Sequence, residues 1–188
     1  MRPRSILAAA ALIAGGLVVA PAAPAGAEER TCRGTLGAIT VDNLRVPAGA
    51  TCRLTGTSVK GTIKVESRAT LVANGVRVVG NVQAENHAKV VVKSASRIGG
   101  SVQLKQGGAA TVTGNRINGD LQLDSNNRAQ AANNNTIGGS LQAFQNTGGL
   151  TIKSNRIDGN LQCKENRPAP VGSGNIVQGN KEDQCRRL

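Results

Sequence analysis

The feature that most constrains this chain is a glycine that returns at a nearly fixed interval. Gly61, Gly80, Gly100, Gly119, Gly139, Gly159 and Gly179 are separated by 19, 20, 19, 20, 20 and 20 residues. Two positions before each stands a β-branched residue: Val59, Val78, Ile98, Ile117, Ile137, Ile157 and Val177. Two positions after come Ile63, Val82, Val102, Leu121, Leu141 and Leu161; four after come Val65, Ala84, Leu104, Leu123, Ala143 and Cys163. Alternation with a period of two marks a strand with one buried face. A weaker apolar patch follows at Leu71 and Ala73, Val90 and Val92, Val112, Leu150 and Ile152, and Val171.

A step of this length holds two or three short strands and their turns, and has no room for a ten-residue helix. The expected fold is therefore all-β: a single-stranded parallel β-helix, or β-solenoid, of about seven coils with strands stacked about 4.8 Å apart. Aromatic content agrees. Phe144 is the only aromatic residue, so the core must be built from many small aliphatics rather than a few large rings.

Residues 1–27 read as a secretory signal peptide. A basic start with Arg2 and Arg4 precedes an apolar run from Ile6 to Ala20, and Ala25-Gly26-Ala27 offers small residues for cleavage. The run is short for a membrane span, and no second one follows. Removing the leader lowers the net charge from +12 to +10. Residues 28–60 depart from the glycine step and carry Pro47, which predicts an N-terminal cap and a first irregular coil. Repeats then occupy residues 61–178. Residues 179–188 read as a C-terminal cap, because Lys181 and Asp183 replace the apolar residues of other coils.

Four cysteines lie near these two ends. In an exported chain an even count reads as disulfides. Of the three possible connectivities we favour Cys32–Cys52 and Cys163–Cys185, since each pair is about one coil apart. Closing such a loop is worth about 3 kcal/mol in the chain-entropy model. The alternative, a metal site, lacks a Cys-x-x-Cys spacing and a nearby histidine. No cofactor or metal is expected.

Polar positions repeat as well. Four before the glycine stand Ser96, Asn115, Asn135, Asn155 and Asn175. Stacked asparagines at a turn can pass amide hydrogen bonds from coil to coil, and asparagine also accepts a left-handed corner. Three before the glycine stand Arg77, Arg97, Arg116, Thr136 and Arg156, and three after it Gln83, Gln103, Gln122, Gln142 and Gln162. Alternation carried through the glycine puts both rows on one sheet face. Such a face would suit an extended anionic polymer, because the Arg fork matches phosphate and carboxylate. Candidates are wall teichoic acid, acidic polysaccharide or membrane phospholipid. The alternative is a solvated face that keeps the solenoid soluble. Nucleic acid fits less well: there is no aromatic platform for single strands and no helix for a groove.

The phrases "VVGNVQ", "IGGSVQ", "INGDLQ", "IGGSLQ" and "IDGNLQ" resemble the repeats of bactofilins, bacterial right-handed β-helix proteins that polymerise end to end. The resemblance spans about Gly61 to Asn180. It implies a right-handed helix and a self-assembling scaffold, from which the leader, cysteines and polar ends depart. The chain is also similar to small secreted bacterial β-helix proteins without an assigned activity. An enzyme is not expected. Only Asp120 and Asp124 fall close within one coil, with Asp158 two coils on, and His87 reads as a solvated turn residue.

Overall fold

The computed structural model describes residues 28–188; the expected leader lies outside them. The described residues contain no helix and form a three-sided β-solenoid. The first sheet has nine strands, from Glu29–Thr31 to Lys181–Asp183. The second has eight, from Gly34–Leu36 to Val171–Ser173, and the third eight, from Thr40–Val41 to Ile176–Val177. Each strand pairs in parallel with its counterpart one coil away, as in Leu121↔Leu141 and Ile117↔Ile137. Every third strand in sequence therefore belongs to the same sheet.

Eight coils are present where seven were expected. The extra coil lies in residues 28–60, whose strands pair in register with the next coil, as in Gly34↔Cys52 and Thr40↔Ser58. Glycine alignment hid it because Asp42 holds the glycine position, one coil before Gly61. Pro47 breaks no strand: it lies in the turn between Asn43–Val46 and Thr51–Thr55.

Inward positions stack into columns. Leu44, Ile63, Val82, Val102, Leu121, Leu141 and Leu161 are in register along the first sheet, all fully buried. Each such side chain contributes about 1.5–3 kcal/mol on burial. On the second sheet Leu54, Ala73, Val92, Val112, Ala132 and Ile152 do the same, mixing large and small residues. Val171, expected among the inner apolar residues, points outward instead and is 61% exposed. Gly172 takes the inward place, opposite Ile152.

Each corner must satisfy backbone groups that leave the sheets, and it does so with a side-chain ladder. Between the second and third sheets the ladder is Asn115, Asn135, Asn155 and Asn175, all buried. Asn135 Oδ1 accepts from the Asn115 backbone N–H at 3.1 Å and its Nδ2 donates to Val112 O at 2.8 Å and Asn155 Oδ1 at 3.0 Å. The left-handed residues there are the preceding ones, Gly114, Asn134, Ser154 and Gly174, and not the ladder asparagines. A second ladder, Asn126, Asn146 and Asn166, secures the corner between the first and second sheets in the same manner. Gln184 terminates it, accepting from the Asn166 N–H at 2.9 Å.

The corner between the third and first sheets explains the repeating glycine. Asn43, Thr62, Asn81, Ser101, Asp120, Ser140 and Asn160 each accept a backbone N–H from the following coil, for example Ser140 N–H to Asp120 Oδ1 at 2.7 Å. Each acceptor lies where the Cβ of the next coil's glycine would be: Asn43 over Gly61, Asn81 over Gly100, Asp120 over Gly139. These glycines are required by space and not by a left-handed backbone.

Disulfides join Cys32–Cys52 and Cys163–Cys185, with Cα–Cα distances of 5.6 and 5.2 Å, as the sequence predicted. All four cysteines are buried, one pair at each end of the solenoid.

Candidate functional surface

Arg77, Arg97 and Arg116 occupy adjacent rungs of the third sheet, followed by Thr136 and Arg156. Their two-residue strands place the next residue, Val78, Ile98, Ile117 or Ile157, in the core, so each arginine must point out. All four are exposed. Parallel register sets their backbones about 4.8 Å apart. Asn118 adjoins this row. Across the corner, Lys93 and Lys153 end strands of the second sheet four and three residues before Arg97 and Arg156. Sequence reading passed over these lysines because they stand at a corner and not in the alternating phrase.

Among the described residues, none of the four arginines has a carboxylate within salt-bridge distance. The ion pairs lie in the first coils instead: Arg45 with Glu29 at 2.8 Å and Glu66 at 3.4 Å, and Lys60 with Asp42 at 2.9 Å. The Lys60 ammonium holds the Asp42 carboxyl below its ordinary range, and the Ala48 N–H does the same for Glu66.

The glutamines do not share the arginine face. Gln83, Gln103, Gln122, Gln142 and Gln162 lie on the outer side of the first sheet, beyond the glycine corner. There they bond to one another: Gln83 Nε2 donates to Gln103 Oε1 at 3.0 Å, Gln103 to Gln122 at 3.2 Å, and Gln142 to Gln162 at 3.0 Å. Gln162 passes the chain to Glu182 at 2.8 Å. The basic row therefore stands without the assistance expected from the glutamines.

The acidic residues singled out in sequence are also separated. Asp120 is a rung of the glycine-corner ladder, Asp124 faces outward on the first sheet beside Ser125, and Asp158 accepts from Gln178 Nε2 at 3.1 Å. His87 is not solvated. It is 2% exposed, in the ladder position of Asn126 two coils earlier, and Gly107 of the next coil leaves room for its ring. Neither ring nitrogen has a hydrogen-bond partner. Burial lowers its pKa from 6.5 to about 4, against an opposing push from the Ala84 backbone.

Fold and corners together define a disulfide-closed parallel β-solenoid with a bare basic row along one side. No family model matches the chain, and neither do the curated proteins or the solved structures compared with it.

Proposed function

We propose that this is an exported, non-catalytic binding protein whose third sheet holds an extended anionic polymer of the cell envelope. One observation carries the reading. Arg77, Arg97, Arg116 and Arg156 form one exposed row, interrupted by Thr136, and among the described residues none of them is held in a salt bridge. Like charges on adjacent strands repel by a few tenths of a kcal/mol per pair, so the row gains when an external anion neutralises it. A linear polymer with regular phosphate or carboxylate groups meets several forks at once, and Lys93 and Lys153 extend the basic strip. The two disulfides fit an oxidising compartment.

The test is retention on bacterial envelope fractions across a salt series, comparing wild type with an Arg97→Gln, Arg116→Gln, Arg156→Gln variant. Binding should fall steeply with salt and be lost in the variant, as expected when association is electrostatic. Equal retention of the two proteins would overturn the reading.

A second reading is a scaffold that grows by assembly, in keeping with the bactofilin resemblance. It is favoured by Val171 and Ile176, each 61% exposed on the last coil beside open strand edges. Light scattering that rises with protein concentration in the absence of ligand is its signature.

A further inference from the structure

The chain's one aromatic residue is absent from the core. Phe144 closes the strand Leu141–Phe144 on the outer side of the first sheet, in register between Asp124 one coil before and Lys164 one coil after. It is half-buried. With Asp124, Gln145, Lys164 and Glu165 it lines an open depression of about 300 Å³. The two carboxylates are held in place: Ser125 Oγ donates to Asp124 Oδ1 at 2.8 Å, and Gln145 Nε2 donates to Glu165 Oε2 at 3.0 Å. The second oxygen of each remains available as an acceptor.

A second feature falls at the same place. The glutamine ladder runs from Gln83 to Gln122 and again from Gln142 to Glu182, with no bond between Gln122 and Gln142. These two residues lie on the strands that carry Asp124 and Phe144. The interruption leaves the Gln122 Nε2 donor and the Gln142 Oε1 acceptor without side-chain partners, one coil apart, Gln142 two residues before Phe144 and Gln122 two before Asp124.

The chemistry these groups ask for is specific. An aromatic face carries negative potential and attracts polarised C–H groups. Ionised carboxylates only accept, so Asp124 and Glu165 require hydroxyl or amine donors. The Gln122 amide and the Lys164 ammonium require acceptors. Fixed charges of both signs line the depression, Asp124 and Glu165 against Lys164, so a ligand of either charge meets a like charge there. A pyranose ring, apolar on one face and rimmed with hydroxyls that donate and accept, meets all of these demands. We infer that the surface around Phe144 is a subsite for a neutral hexose unit of an extended glycan, on a different sheet from the arginine row and independent of it.

Phe144 is itself the reporter. With no tyrosine or tryptophan in the chain, its ring protons stand apart in an NMR spectrum from all but those of His87. Titration with neutral hexose and N-acetylhexosamine oligosaccharides should shift these signals and the Gln122 and Gln142 side-chain amides, at high salt as at low. A Phe144→Ala variant should bind about tenfold more weakly, the loss of about 1.4 kcal/mol expected for a stacked ring, and Asp124→Asn should weaken binding as well. The triple arginine variant should bind these sugars as wild type does. Failure of every oligosaccharide in the panel to move the ring signals would overturn the inference, as would affinity unchanged by Phe144→Ala in a variant that keeps wild-type thermal stability. Neither outcome bears on retention by the arginine row.

Discussion

The C-terminal and N-terminal halves of the solenoid share one backbone and secure its corners differently. From residue 115 onward two of the three corners are filled by buried amides: Asn115, Asn126, Asn135, Asn146, Asn155, Asn166 and Asn175. Trace the same positions toward the N-terminus and the amides disappear. The first ladder continues as Ser96, Val76 and Thr57, the second as Gly107 and His87, and all four of these side-chain-bearing residues are buried. Shape alone therefore does not demand asparagine, since Val76 fits the corner that Asn135 fits. What the amides add is register. A stacked asparagine is bonded to the coil before it and the coil after it, so a slip of one residue would orphan buried donors and acceptors on both sides. Aliphatic filling contributes burial and tolerates neighbouring alignments more easily. The N-terminal coils rely on packing, the Cys32–Cys52 disulfide and the surface ion pairs of Arg45 and Lys60.

The largest effect is expected from breaking an amide rung in the regular half. Asn135→Ala leaves the Asn115 N–H and the Val112 carbonyl without their side-chain partners. With each of these two buried unsatisfied groups costing about 1–3 kcal/mol, chemical denaturation should show a loss of about 2–6 kcal/mol. Asn135→Ser should cost clearly less. Ser96 shows why: its Oγ accepts the Val76 N–H of the preceding coil at 3.1 Å and donates to Lys93 O of its own coil at 2.7 Å. A hydroxyl therefore replaces the amide as acceptor and keeps one donor, but gives up the amide's donor bonds to the neighbouring coils. Equal losses for alanine and serine would mean that the rungs act through packing and not through their hydrogen bonds.

This contrast also explains what could be read in the sequence. The solenoid was legible because the twenty-residue step and the period-two alternation are local statistics. Likewise, the cysteine pairing followed from the spacing of one coil. The first asparagine ladder was visible beside the glycine. The second was equally present at Asn126, Asn146 and Asn166, but Gly107 and His87 interrupt it and conceal the repeat. Placing the Arg and Gln rows on one face failed for a different reason. Alternation records in and out, and it is unchanged when a chain turns a corner at Gly119 or Gly139. Phe144 stands at an outward position of the alternation, but in the sequence a lone aromatic residue reads only as evidence for an aliphatic core. Burial of His87 depends on the absence of a side chain at Gly107, a fact that belongs to the next coil.

The glycine corner offers a sharper test, because there the two ends of the solenoid differ by a single rule. Asp42 is tolerated in the first coil since no ladder side chain precedes it; Asn43 is the first rung, and from Gly61 on every equivalent position is glycine. Gly139→Ala would drive a methyl group against Asp120 Oδ1 and the Gly119 backbone. Overpacking of this kind costs about 1–3 kcal/mol. In an Asp120→Gly background the added cost of Gly139→Ala should shrink, giving a coupling that two independent sites would not show. An additive result would return the glycine to its conventional role as a turn former.

The smallest effect at neutral pH, and a selective one in acid, belongs to His87. Its folded pKa lies at about 4, below the ordinary 6.5, because burial disfavours the imidazolium. Between these values the unfolded chain binds the proton and the folded chain does not. Stability linked to this residue is therefore complete above about pH 6.5, declines as pH falls, and is gone below about pH 4. Asp42 and Glu66, whose pKa values are lowered, lose their contribution only further into the acid range. His87→Asn places at this corner the residue that Asn126, Asn146 and Asn166 supply later, and removes the titrating group. Denaturation midpoints measured from pH 7 to pH 4 should fall for wild type and stay nearly level for the variant. If both fall alike, the acid sensitivity lies in the carboxylates and the imidazole acts as an inert filler of the space that Gly107 leaves.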